Sequence, residues 1–263
     1  MTKQNDRIKE DFRLKLLKHI ELFNSAVSTD SGDWIVKGFI DIAKNIYTIS
    51  VDTKVVSKIM ELLLFPQICQ IAKKMDCKMV LCKEQNSYPD ITLIDRNHNK
   101  FAVDIKSTYR INKEKVNGMT LGAFTGYFRN RDSKKNTTFS YNEYTGHFVL
   151  GIIYSRNVAG DERKVYNLND LRNITSVIKD FTFFVQEKYR IAADRPGSGN
   201  TKNIGSLTNI DKLINGRGIF AELGEDIFDD YWKYYLTKDM AKAADSEPPY
   251  KNITEYKEYK RMK

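Results

Sequence analysis

"YPDITLIDRNHNKFAVDIKS", residues 88–107, is the stretch that decides how this chain folds. Its runs "ITLI" and "FAVDI" are β-branched and apolar, and "DRNHNK" between them is turn chemistry, so a β-hairpin is predicted. Along the second strand Phe101, Val103 and Ile105 face one way, and Ala102, Asp104 and Lys106 face the other. A turn centred near Asn97 and His98 would set Asp90 opposite Ile105, diagonal to Asp104 and Lys106. Two carboxylates and an ammonium then meet at one sheet end. Two readings fit this pattern. In the first, Asp90 is a turn residue behind Pro89, and Asp104 and Lys106 form an ordinary solvated ion pair. In the second, the carboxylates bind a divalent metal such as Mg2+, with Mn2+ able to substitute. Mg2+ takes oxygen ligands, and a bound cation relieves the repulsion between neighbouring carboxylates. A lysine beside it could orient or help deprotonate a water, or stabilise charge on a phosphate. That set suits phosphodiester hydrolysis.

Outward from the hairpin, helices lead and trail a central group of strands. Residues 7–24 have helical spacing, with Ile8, Phe12, Leu16, Ile20 and Phe23 on one face. "DWIVKGFIDI" and "KNIYTIS" read as a strand pair. A helix should start near Thr53 under an Asp52 cap, with Pro66 kinking or restarting it. Beyond the hairpin, "HFVLGIIYSR", "KVYNL" and "FTFFVQEKY" read as strands, and "TLGAFTGYFRN" is left without an assigned conformation. "SLTNIDKLI" is helical and ends in the "NGRG" turn, and "EDIFDDYWKYYLTKDMAK" puts Ile227, Phe228, Tyr231, Trp232, Tyr235 and Leu236 on one stripe. The expected class is α/β, a mixed central β-sheet flanked by helices.

The 263 residues are enough to bury a substantial core. With 43 Lys and Arg against 34 Asp and Glu the net charge is +9, which favours a polyanionic partner, nucleic acid before membrane. Cys69, Cys77 and Cys82 form no CxxC and cannot all pair, which suits buried free thiols in a reducing cytoplasm. The N-terminus interleaves charge with apolar residues and shows no signal-peptide core. No stretch is read as approaching the ~20 apolar residues of a membrane span, so a cytoplasmic protein without a membrane partner is expected.

Two further features carry chemistry or scaffold. Glu61, inside "IMELLLF", either pairs with Lys58 on an exposed helix face or adds a third carboxylate beside the hairpin. "GSGNTKN", residues 197–203, is either a surface loop or a base reader. Without GK[ST] it is no phosphate loop. Asn200 and Asn203 carry amides that can meet adenine N6 and N7 together, Thr201 offers a methyl to thymine, and Gly197 and Gly199 let the backbone come close.

Taken together, "SVDTKVVSKIMELL", "EQNSYPDITL", "FAVDIKSTY", "TLGAFTGYFRN", "GSGNTKNIGS" and "NGRGIF" with "DYWKYY" occur in an order that resembles the PD-(D/E)xK nucleases, from about residue 35 to the C-terminus. The resemblance implies a restriction-endonuclease-like core with a small dimerisation subdomain. It implies a single domain over 1–263, with dimerisation elements at about 34–50 and 164–174, a catalytic core at about 53–130 and a DNA-recognition part at about 181–263. It also implies a homodimeric type II enzyme that cuts duplex DNA with Mg2+ at a palindrome, GATATC, to blunt ends. Asp90 and Asp104 match the metal-binding aspartates, Lys106 the catalytic lysine, and Glu61 a helix-borne acidic residue near the metal. Gly197, Ser198, Gly199, Asn200, Thr201, Lys202 and Asn203 match a major-groove recognition loop, and Gln85 and Asn86 a minor-groove loop. Thr53, Lys54, Ser107, Thr108 and Arg156 match positions close to the DNA. Lys202 stands where the family has Thr, and Thr237 and Lys242 where arginines are expected. A protective DNA methyltransferase is expected in the host, without direct contact. The rival expectations are a DNA binder of this fold that does not cut, and a repair-type nuclease that ignores sequence.

Overall fold

In the computed structural model of the chain, residues 2–82, 84, 87–157, 164–197 and 201–262 are described. The amphipathic N-terminus forms two helices, α1 (Thr2–Leu17) and α2 (Ile20–Val27), instead of the single one expected over 7–24. The break has a packing cause. His19 donates its backbone N–H to Leu16 O at 3.1 Å, a tight turn that redirects the chain. Phe12 can then stack on Phe101 at 3.9 Å between ring centres, while Phe23 reaches Phe183 at 5.9 Å on a different strand.

The predicted strand pair appears as β1 (Gly38–Ile40) and β2 (Ile46–Thr48). Helix α3 (Thr53–Lys74) follows, its first turn held by the Asp52 carboxylate, which accepts from Lys54 N and Val55 N. It runs through Pro66 unbroken and buries Val56, Ile59, Met60, Leu64 and Ile68. One expectation needs correcting here: α3 is long and apolar enough, by length and composition alone, to cross a membrane. The reason for that composition is that its apolar side faces the core.

Strands β3 (Lys78–Leu81), β4 (Ile91–Ile94) and β5 (Lys100–Tyr109) come next, then β6 (Thr120–Ala123) and the long β7 (Tyr144–Arg156). Short β8 (Val165–Tyr166) precedes β9 (Ile178–Glu187), the one-turn α4 (Lys188–Ile191), β10 (Ala192–Pro196) and β11 (Asn203–Ser206). The main sheet has the order β3-β4-β5-β7-β9, with β5 and β7 parallel and the other pairs antiparallel. It is the mixed sheet expected. On one face Phe101, Val103, Phe148 and Ile152 pack against α1–α3. On the other, Ala102, Val149, Ile153 and Phe184 meet an aromatic cluster from the C-terminal part, with Phe228, Tyr231 and Trp232 fully or almost fully buried.

The 88–107 hairpin forms with its register one residue away from the expected one. Ile91 pairs Val103 and Leu93 pairs Phe101, so the turn centres on Asn97 and Asp90 falls level with Asp104. The turn explains the slip: Asp95 accepts from Asn97 N and Asn99 N, and His98 adopts φ +64°, which closes a tighter loop than assumed. Because strand faces alternate, this register sends both aspartates to the same face.

Two small sheets flank the main one. β1-β2-β8 joins the stretches expected at 34–50 and 164–174, and β10-β11-β6 flanks the 197–203 stretch, with "TLGA" becoming β6. The C-terminal helices are α5 (Ile210–Asn215), α6 (Ile219–Leu223), α7 (Glu225–Tyr234), α8 (Lys238–Ala243) and α9 (Ile253–Tyr259). Gly216 at φ +62° ends α5, as the "NGRG" turn predicts. The long helix expected for the aromatic stripe stops at Tyr234, leaving Tyr235 and Leu236 beyond α7, and α8 starts where the Thr237 hydroxyl caps it by accepting from Met240 N. The three cysteines are free and half-buried, less buried than expected.

Candidate active site and nucleic-acid groove

At the end of β4 and β5 the carboxylates of Asp90 and Asp104 come together. Asp90 N donates to Asp104 Oδ1 at 3.2 Å, and Ile105 N donates to Asp90 Oδ2 at 2.8 Å. Lys106 Nζ lies 3.5 Å from Asp90 Oδ2 and 3.7 Å from Asp104 Oδ2. Asp104 is 4 % exposed, while Asp90 and Lys106 are half-buried. Burial pushes the Asp90 carboxyl above its ordinary range, and the negative charge of Asp104 adds to that, against the pull of Lys106. For Lys106, burial alone would lower the ammonium. The charges of Asp104 and Asp90 outweigh it and hold the group above its ordinary value. The structure therefore gathers the three residues that the hairpin pattern singled out.

Two converging carboxylates, one of them raised by the other, form an oxygen donor set that fits a hard divalent cation. Asp90 and Asp104 are the residues that would hold it. Of the two readings of Glu61, the pairing with Lys58 is present: Oε2 is 2.7 Å from Lys58 Nζ, one helical turn back. Among the described residues no group of three or more His, Cys, Asp or Glu is gathered as for a metal ion. The Glu61 charge is still felt at both Asp90 and Lys106.

A groove opens from this end of the sheet. Thr53, Lys54, Ser57 and Glu61 line one wall, Lys106, Ser107 and Thr108 the floor, and Gly197 the far side. α3 is pinned there by a 2.7 Å hydrogen bond between Ser57 Oγ and Ser107 Oγ. Thr108 is only 3 % exposed, and its hydroxyl donates to Asn117 O. Arg156, at the end of β7, lies outside this wall with its guanidinium 3.4 Å from the centre of the Tyr109 ring.

The stretch 197–203 connects β10 to β11. Gly197 N donates to Asn203 O at 3.0 Å, and Phe124 N to Lys202 O at 3.0 Å. A Cβ on Gly197 would stand 2.8 Å from Thr120 Cγ2, so this glycine answers a close approach of strands as much as any ligand. Thr201 Oγ1 is buried without a partner among the described residues, Lys202 is exposed, and Asn203 is half-buried on β11. Ser198, Gly199, Asn200, Gln85 and Asn86 lie outside the described residues.

Sequence reasoning missed what lies behind the carboxylates. Lys188, 2 % exposed, donates to Tyr88 Oη at 3.1 Å, and Tyr88 Oη lies 2.7 Å from His147 Nδ1. A lysine in "QEKYR" reads as surface, and nothing in its neighbours says otherwise.

Comparison with known proteins agrees with this geometry. The family described as restriction endonuclease EcoRV matches residues 30–261. The chain is 36 % identical to the type II restriction enzyme EcoRV of Escherichia coli over 239 residues, covering 89 % of this chain and 94 % of that enzyme.

Proposed function

The chain belongs to the restriction endonuclease EcoRV family, making it a type II restriction enzyme and a deoxyribonuclease, and from that premise we propose that it is a cytoplasmic homodimer cutting duplex DNA at GATATC with Mg2+ held by Asp90 and Asp104. The observation that carries the catalytic part is the meeting of Asp90, Asp104 and Lys106 at a sheet end that opens into a groove lined by Thr53, Lys54 and Gly197. A bound divalent cation supplies Lewis-acid stabilisation of negative charge on the phosphate. Lys106, kept protonated by its two carboxylate neighbours, acts as a charged donor toward the reacting phosphate or its water. The backbone N–H groups of Asp90 and Ile105 hold the carboxylates in place.

The site preference rests on the recognition stretch 197–203 and its resemblance to the family's base-reading loop. The dimer is supported by a run of exposed apolar side chains on β1-β2-β8 and after it, with Phe39, Ile40, Ile42, Val165 and Leu168 all at least 45 % exposed. Patches of this kind mark protein interfaces. Two-fold symmetry would present the same loop to each half of a palindrome.

Digestion of a sequenced plasmid, with and without Mg2+, tests this reading. Discrete blunt fragments ending within GATATC are expected, only with the metal. A smear, or the same bands without metal, overturns it. Asp90→Ala and Asp104→Ala should each abolish cutting while DNA binding in Ca2+ persists, and Lys106→Ala should slow turnover by ~10²–10⁴.

A further inference from the structure

The face of the main sheet that carries Asp104 is continuous from β5 across β7 to β9. Asp104 pairs Val149, and Val149 pairs Gln186, so these three side chains lie in one row. His147 is two residues back along β7 on that face, and Lys188 is two residues beyond Gln186. Lys188 is thus aimed at the rear of the site from the chain that leaves β9. Its ammonium has three N–H groups, and among the described residues its one hydrogen bond goes to Tyr88 Oη, with the Tyr88 ring centre 4.1 Å away.

The direction of the hydrogen bonds follows from chemistry. The ammonium can only donate, so Tyr88 Oη accepts from it, and the tautomer with a bare Nδ1 lets Tyr88 give its own proton to His147. Burial, and then the charge of Lys188, hold His147 well below its ordinary value, which keeps the ring neutral and able to accept. The His147 ring is itself fixed by stacking on Tyr141 at 3.9 Å. Tyr88 is also tied through its backbone, with N–H to Asn136 O and O from Thr138 N, both at 2.9 Å. Two residues further along the chain is Asp90.

We propose that Lys188 is a positioning residue for the metal-binding carboxylates: through Tyr88 it fixes the segment that delivers Asp90 to Asp104. This rests on the reading of Asp90 and Asp104 as the metal ligands. Burial draws the Lys188 ammonium down to about 8, opposed first by Asp104, so most of it is charged at neutral pH. Groups that orient metal ligands from behind typically contribute about 10–100-fold to metal affinity or activity.

Calorimetric titration of Mn2+ into the full-length protein at pH 7 tests this on the wild type, Lys188→Met, Tyr88→Phe and Asp104→Asn. Lys188→Met and Tyr88→Phe should each weaken Mn2+ binding by about 10–100-fold. Their metal-free DNA binding should be unchanged, and their cleavage should recover at raised Mn2+, a rescue that a merely structural lysine would not show. Tyr88→Phe keeps the ring stacks, so it decides the matter should Lys188→Met fail to fold. Wild-type Mn2+ affinity in Tyr88→Phe overturns the proposal. So does tighter binding in Lys188→Met, the result expected of an opposing charge without a positioning role. Asp104→Asn separates the two levels: if it still binds Mn2+ normally, the ligand assignment fails; if it loses the metal while Tyr88→Phe does not, only the role of Lys188 fails.

Discussion

His147 is 7 % exposed, and its environment has a cost that depends on pH. Burial first, then the cations Lys188, Arg131 and Lys9, keep it neutral in the fold well below the ordinary value of 6.5. In the unfolded chain the ring takes up a proton as pH falls through that value. The unfolded state then binds more protons than the folded one, so stability falls with falling pH by about 1.4 kcal/mol per unit from this one group. Urea unfolding between pH 7 and pH 5 should show that slope in the wild type and a shallower one in His147→Gln; equal slopes would contradict it. The same residue scale shows what a sequence can and cannot disclose. Asp90, Asp104 and Lys106 were legible because charges inside an apolar strand pattern need a reason. Lys188 was not, since nothing in "QEKYR" distinguishes a buried lysine from a solvated one. Only the tertiary neighbours Tyr88 and His147 do so.

Among the elements, α3, its Asp52 cap, the long strands and the "NGRG" stop were readable from local periodicity and capping chemistry. The breaks at 18–19 and 235–237 were not, because helical spacing continues across both while tertiary contacts decide where the chain turns. The one-residue slip of the hairpin has the same origin: Asp95 closes its turn through side-chain bonds that no hydrophobic pattern records. The strand pair β10-β11 offers a test at this scale. A Cβ on Gly205 would stand 2.7 Å from Arg195 O and 3.1 Å from Gly197 N, both backbone atoms that cannot step aside alone. Gly205→Ala should therefore lower stability by about 1–3 kcal/mol and spread the strands on either side of the 197–203 stretch. Cleavage of the proposed site GATATC relative to single-base variants, measured beside a thermal melt, should fall more than the melt alone explains. Unchanged discrimination would mean that this close approach does not shape the loop.

For the whole molecule, charge and exposed apolar surface point to two different partners. Each chain carries +9 and a dimer twice that, so affinity for DNA should drop steeply with salt. Ile42, 103 % exposed, stands clear of its own chain at the tip between β1 and β2. If the proposed homodimer forms through this surface, Ile42→Glu should shift sedimentation from dimer to monomer and remove cleavage while the monomer keeps its folded circular dichroism spectrum; a dimer that survives places the interface elsewhere. The N-terminal helices have a consequence of another kind. They lie wholly before the residues matched by the family, yet Phe12, Leu16, Phe23 and Val27 cover one face of the main sheet. Lys9 also reaches Glu187 at 3.2 Å and Glu225 at 2.6 Å, across most of the chain's length. During synthesis this cover is made well before Phe101, Phe148 and Phe183, the rings it must meet. Until then an amphipathic segment waits with its apolar side bare, so synthesis of this enzyme passes through a window in which these helices stand open to chaperones and proteases.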